Sequence, residues 1–164
     1  MKRKKLLLCI IAALLTFTSC GGDDGVVEPN GNQPTLAGTS WRLAAFVDIN
    51  SGVSREPNRV GLGEYRDDAY TLVFLNDSLV VGRKVINVID GIYVANYNMN
   101  KLAMTVNSTL VGSDPADANL YTLMLYGGGI ANFRLYPQEL HVFNAFQFFD
   151  EYLKFYKIGD SNEY

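Results

Sequence analysis

Alternation of apolar and polar residues with a period of two constrains this chain more than any other feature of its 164 residues. Trp41, Leu43, Ala45 and Val47 alternate with Arg42, Ala44 and Phe46, and Tyr70, Leu72 and Phe74 alternate with Thr71, Val73 and Leu75. The same rhythm returns at Leu102, Met104 and Val106, at Phe133 and Leu135, at Leu140 and Val142, and at Leu153 and Phe155. Successive side chains of a strand point to opposite faces, so this pattern predicts antiparallel strands with one wet face. Asn76-Asp77-Ser78 reads as a hairpin turn into residues 79–85, and Pro137-Gln138 as another.

One segment departs from the rhythm. Asp114-Pro115 offers an N-cap and an N1 proline, Leu120, Tyr121, Leu123, Met124 and Leu125 recur at helical spacing, and Gly127-Gly128-Gly129 stops the run. A short helix over residues 115–126, packed on the sheet or plugging a barrel mouth, is predicted, with a strand as the alternative. The expected fold is mainly β: a small antiparallel β-barrel-like or curved-sheet domain of about seven or eight strands with one short helix.

The first 35 residues do not share this patterning. Lys2, Arg3, Lys4 and Lys5 precede an apolar run over residues 6–17, too short to span a bilayer as a stable helix. Phe17-Thr18-Ser19-Cys20 resembles the lipobox of bacterial lipoproteins, in which the cysteine is acylated and becomes the new N-terminus. The expectation is a signal peptide over 1–19, lipidation at Cys20 and an acidic Gly/Pro-rich tether over 20–35. A folded domain over 36–158 and a tail over 159–164 complete the division. Asp23 and Asp24 after Cys20 resemble an acidic surface-export signal of certain Gram-negative lipoproteins, a solvated linker being the other reading. The implied address is the bacterial outer membrane, lipid-anchored, facing the periplasm or the surface.

Charge and cysteine count then exclude several chemistries. Without the four N-terminal basic residues, ten Lys and Arg face seventeen Asp and Glu, which argues against a nucleic-acid partner. Cys9 lies in the signal and Cys20 would carry lipid, so the folded part offers no disulfide, thiolate metal site or cysteine nucleophile. His141 is the single histidine, placed by alternation on the wetter face, so no His-His zinc pair exists and a catalytic triad would have to be built on it alone. Asp67-Asp68, Asp150-Glu151 and Asp114 with Asp117 read as turn and cap residues rather than as a glycosidase pair. Gly61-Leu62-Gly63 lacks the flanking residues of a phosphate loop. Asn76-Asp77-Ser78 and Asn107-Ser108-Thr109 match the N-glycosylation triplet, a role a bacterial lipoprotein does not call for. Asp77-Ser78-Leu79 is similar to an O-glycosylation acceptor of related envelope proteins. No cofactor, no metal site and no catalysis are expected.

Residues 36–43, Leu-Ala-Gly-Thr-Ser-Trp-Arg-Leu, resemble the opening Leu-x-Gly-Thr-x-Trp-x-Leu of META/HslJ-like domains. Tyr70-Thr71-Leu72-Val73-Phe74, Asn87 with Gly91-Ile92-Tyr93, and Leu153-Lys154-Phe155 follow in that family's order, over about residues 36–158. The resemblance implies a small mainly antiparallel β domain of exported lipoproteins, in a cysteine-free variant: Ile86 stands where a cysteine often precedes the Asn. A stress-related or structural envelope role is the function it suggests, with no ligand specified.

Two regions are candidates for binding. Residues 48–68 form a long connection carrying Arg55, Arg59 and Arg66, which would grip a carboxylate or sugar acid or else form a solvated mixed-charge loop; a strand around residues 59–62 is a further reading. The second region is the C-terminus, since ten of the chain's aromatics, half of the nine Phe, ten Tyr and one Trp, lie from Phe133 onward. Alternation sends Phe146 and Phe148 inward and Phe143, Phe149, Tyr152 and Tyr156 outward with His141 and Lys154. Either this hairpin folds over the barrel end or it presents an aromatic platform to a protein, a glycan or the membrane. The functional expectation is a lipid-anchored, non-catalytic binding or interaction module. A structural envelope lipoprotein is the alternative and a carboxylate-based hydrolase a remote one.

Overall fold

A computed structural model describes residues 34–126, 129–144 and 149–160. The expected signal peptide, Cys20 and the tether lie outside them up to residue 33, as do Phe146 and Phe148. The strands in chain order are β1 (Thr39–Asp48), β2 (Ser54–Arg55), β3 (Val60–Gly61), β4 (Glu64–Tyr65), β5 (Thr71–Phe74) and β6 (Leu79–Arg83). They continue with β7 (Val88–Asn96), β8 (Lys101–Ser108), the helix α1 (Ala116–Tyr126), β9 (Ile130–Leu135), β10 (Glu139–Phe143) and β11 (Glu151–Asp160). Mainly β with one short helix is therefore the observed class, and the helix begins one residue after Pro115.

The sheet runs β11-β10-β9-β8-β7-β6-β5-β1, and β1 also pairs with β11, from Thr39 opposite Asp160 to Asp48 opposite Glu151. Eight antiparallel strands thus curve until the first meets the last. The ring is uneven. β8 and β9 pair only over Lys101–Ala103, leaving the far half of β8 without β9 beside it. Curvature also needs close strand approach. A Cβ at Gly82 would sit 2.1 Å from the Thr71 carbonyl oxygen, and one at Gly91 2.2 Å from that of Thr105, so only glycine fits either position.

Alternation builds one core. Trp41, Leu43, Tyr70, Leu72, Phe74, Tyr93, Leu102, Phe133, Leu140, Val142, Leu153 and Phe155 are all buried in it. Trp41 donates its indole N–H to Thr39 Oγ1 at 2.7 Å, giving its one polar atom a partner. The register breaks twice along β1, between Ser40 and Trp41 and between Leu43 and Ala45, and the second break changes the reading of the strand. A register shift between Leu43 and Ala45 aligns Ala45 with outward Lys154 and Phe46 with inward Leu153, so Phe46 is fully buried rather than on the wet face. The bulge turns Phe46 inward, while Ala45 and Val47 on either side of it are also covered, at 9% and 6% exposure.

Helix α1 packs on β8, β9, β10 and β11 through Ala118, Tyr121, Met124 and Leu125, all in the core. Tyr121 meets the rings of Tyr70 and Phe155 at centroid distances of 5.3 and 6.2 Å. Asp114 does not cap the helix as the sequence suggests. Its carboxylate instead accepts hydrogen bonds from the Ile86 N–H (2.8 Å) and Asn87 Nδ2 (2.7 Å), and pairs with Lys84 Nζ (3.1 Å). Leu36, where the folded domain was expected to begin, is buried, and β11 extends to Asp160.

Candidate functional site

The outer wall of β9, β10 and β11 carries the aromatic residues singled out in the sequence. On β10 the inward Leu140 and Val142 alternate with Glu139, His141 and Phe143; on β11 the inward Leu153 and Phe155 alternate with Tyr152, Lys154 and Tyr156. Register sets Phe143 opposite Tyr152, His141 opposite Lys154 and Glu139 opposite Tyr156. The rings form a continuous ladder. Tyr136 and His141 lie 5.1 Å apart, His141 and Tyr152 5.1 Å, and Phe143 stacks on Tyr152 at 4.8 Å with 27° between planes. Arg134 closes one end over Phe143 at 5.3 Å, and Arg42 lies 5.2 Å over Tyr156. His141, Phe143, Tyr152 and Tyr156 are half-buried because neighbouring groups cover them, while Tyr136 and Arg134 at the ends are exposed.

Phe149 is the exception among the four aromatics expected outside, since it packs against the core. The chain has left β10 by then and has not yet entered β11, so strand alternation does not reach it. His141 and Lys154 share an anchor: Glu139 accepts from Lys154 Nζ at 2.8 Å and lies 2.9 Å from His141 Nε2. Those two hydrogen bonds hold the exposed Glu139 carboxyl below its ordinary pKa.

The arginines of the long connection are engaged by the protein itself. Arg55 sits between Asp117 (2.9 Å) and Glu151 (3.0 Å), with its guanidinium 4.1 Å over the Phe46 ring. Arg59 donates to the carbonyls of Ala69 and Leu43, fastening the connection to β1 and to the entry of β5. The backbone N–H of Arg66 donates to Arg59 O at 3.0 Å; its Nε is buried, with no hydrogen-bond partner among the described residues. The connection is mostly ordered structure: β2 pairs with β1, and β3 and β4 form a hairpin, placing Val60–Gly61 where a strand was one reading. Leu62 and Gly63 between them both have positive φ, 52° and 83°, as a two-residue primed turn requires.

A second surface feature was not singled out in the sequence. A groove of about 670 Å³ crosses the outer wall of β1, β5 and β6, with Val73, Leu75, Val81, Val88 and Ile158 as its apolar surface and Arg42, Thr71 and Arg83 across one end. Arg42 pairs with Thr71, and Thr71 with Arg83, so the two arginines flank a threonine in one outward row. Arg83 Nε pairs with Asp68 at 3.1 Å, while Arg42 Nη1 donates to the Asp67 carbonyl at 2.7 Å. The signal was present in the outward positions of two predicted strands, but their cross-strand alignment is a property of register.

Among the described residues no group of three or more His, Cys, Asp or Glu is placed to hold a metal ion, and no helix is long and apolar enough to cross a membrane. No family model matches the chain, and no curated protein matches it. Among solved structures the chain is similar to a DUF4847 family protein from Bacteroides vulgatus ATCC 8482, with a TM-score of 0.52 and 16% identity. The match covers 74% of this chain and 93% of that one. At that identity the likeness speaks for the fold alone.

Proposed function

We propose that this chain is a lipid-anchored, non-catalytic module of the bacterial outer membrane whose β9–β11 wall is an interaction surface for a protein partner. The observation that carries this reading is the ladder of half-buried His141, Tyr152 and Phe143 flanked by exposed Tyr136 and Arg134, which lies outside the core. Tyr, Phe and Arg beside the charged Glu139 and Lys154 have the composition of protein interfaces. The stacking also bears on the kind of partner. Flat sugar rings need open aromatic faces, and here Phe143, Tyr152 and His141 cover one another's faces. Edges, Tyr hydroxyls and guanidinium groups remain for contact, which suits a protein better than a glycan.

The anchor rests on Cys20 and its lipobox-like surroundings. Cys20→Ser is expected to abolish fatty-acid labelling and release a folded domain from the membrane fraction; an unlabelled, soluble wild-type protein would overturn the address. Replacing Asp23 and Asp24 with Ala is expected to lower protease accessibility on intact cells if the domain faces outward. For the surface, Phe143→Ser with Tyr152→Ser is expected to reduce retention of the soluble domain on isolated envelopes several-fold with folding intact by circular dichroism. Unchanged retention in a folded variant would sink the interaction reading.

One specific observation favours the alternative of a structural envelope protein without a ligand. The ladder ties β9, β10 and β11 together, so its aromatic residues already have a use in holding the hairpin. The META/HslJ-like resemblance of the sequence suggests the same reading.

A further inference from the structure

We propose that the groove on β1, β5 and β6 is a second binding site, for a single-chain amphiphile with an anionic head, such as an acyl carboxylate. It lies on a different part of the wall from the Phe143–Tyr152 stack and does not depend on the interaction reading. The groove volume of about 670 Å³ falls within the range of small-molecule sites, roughly 300–1,000 Å³. Its walls are aliphatic. Val73 and Val81 are direct cross-strand partners, with Leu75 just past the end of β5 and Ile158 and Val88 at the sides, so a hydrocarbon chain lies mainly against methyl groups. Valine and leucine are too short to cover one another as the rings of β10 and β11 do, and Leu75 and Val88 remain 44% and 45% exposed. An acyl chain laid over them removes that surface from water.

The charged end of the groove selects the head. Of its two arginines, Arg83 is neutralised by Asp68, whereas Arg42 makes no ion pair among the described residues. Arg42 uses Nη1 on the Asp67 carbonyl and its guanidinium on the face of Tyr156, while its Nε–H is buried with no hydrogen-bond partner. A buried donor without an acceptor is costly, and a carboxylate accepts two parallel bonds from the Nε and Nη2 edge of a guanidinium. Arg55 shows that edge in use, with Nε and Nη2 both donating to Glu151. In this proposal the bound head draws that edge off Tyr156 and toward the groove; Thr71, whose hydroxyl donates to the Asp68 carbonyl at 3.4 Å, lies between the two arginines. The Asp67 and Asp68 carboxylates line the same end, so its two arginines and two aspartates sum to zero; selection of an anionic head therefore rests on direct hydrogen bonding to Arg42, which suits a single carboxylate and not a polyanion.

The test is calorimetric titration of the purified protein with decanoate, decanol and decyltrimethylammonium below their aggregation concentrations. Decanoate is expected to bind one-to-one, at least ten-fold more tightly than decanol, with no binding of the cation. Arg42→Ala is expected to weaken decanoate ten-fold or more and leave decanol unchanged, Arg42→Lys to recover part of the loss, and Val81→Asp to abolish both. Val81 is half-buried and no part of the core cluster, so Val81→Asp should stay folded; Leu75→Asp, at a position 44% exposed, serves as a second variant on the same surface. No saturable decanoate binding, equal binding of all three probes, or decanoate binding indifferent to Arg42→Ala and Val81→Asp would each overturn the proposal. Phe143→Ser with Tyr152→Ser should leave decanoate affinity unchanged, which separates this site from the interaction wall.

Discussion

Two ionic clusters fasten excursions of the chain to the same barrel, and they do so in opposite surroundings. Lys84, Asn87 and Asp114 tie the segment before α1 to the β6–β7 turn, with the Lys84 and Asp114 side chains only 9% and 4% exposed. Arg55, Asp117 and Glu151 tie the 49–68 connection to α1 and β11, with Arg55 42% exposed. Both place a cation between or beside carboxylates at about 3 Å, yet water screens one and is excluded from the other. Distance alone therefore says little about how much each contributes; desolvation decides it.

Removing one partner from the buried cluster is the strongest way to separate the two. Asp114→Ala strands the Lys84 ammonium, the Asn87 amide and the Ile86 N–H together, and is expected to cost about 3–5 kcal/mol in denaturant unfolding. Pairing Asp114→Leu with Lys84→Met should recover most of that loss, because the cost lies in the unpaired charge. A loss below about 1 kcal/mol for Asp114→Ala would erase the distinction.

Acid is the next lever. Burial alone would raise the Asp114 carboxyl, but hydrogen bonds from Asn87, the Ile86 N–H and Lys84 outweigh it and leave the pKa below its ordinary value. A carboxyl depressed in the folded state contributes stability above its unfolded pKa of about 3.9 and loses it as pH falls through the lower folded value. Unfolding midpoints are thus expected to drop below about pH 4, and Asp114→Asn should remove that component while leaving the profile above pH 5 flat.

The exposed cluster should respond weakly. Arg55→Ala is expected to cost about 1 kcal/mol or less, part of it from the lost contact with Phe46, and Arg55→Lys less still. Smallest of all is the salt effect: 1 M NaCl should trim a few tenths of a kcal/mol from the Arg55 contribution and leave that of Asp114 unchanged, as a comparison of each variant's midpoint at low and high salt would report.

The same contrast explains what was legible in the sequence. Alternation placed Trp41, Leu72, Phe74, Phe133 and Phe155 inside, because which face a strand residue occupies is a local property. It misassigned Phe46, because the bulge after Leu43 is fixed by alignment with Leu153, a hundred residues away. Asp114 before Pro115 looked like a helix cap, and nothing local showed that Ile86 and Asn87 would claim its oxygens. Arg55 and Arg59 looked available for a ligand since their acceptors, Glu151 and the Leu43 and Ala69 carbonyls, are brought near only by the fold. Of the aromatic wall, Phe143, Tyr152 and Tyr156 were readable from β10 and β11, while Phe149 was not, lying between the two strands. The groove needed the row Arg42, Thr71, Arg83, which exists only once β1, β5 and β6 are in register.

The pairing of β1 with β11 has a consequence in time as well as in space. A chain delivered from its N-terminus, by a ribosome or through a translocation pore, presents Thr39–Asp48 long before Glu151–Asp160 arrives to cover its edge. Until then the backbone of β1 on that side has no partner, and the nascent sheet has an open margin on which a second chain can add. Contacts between residues so far apart in sequence are also slow to form, since the loop must close before they stabilise anything. Closure of the described sheet therefore waits for β11, and a chain stalled before residue 151 would leave that edge of β1 open.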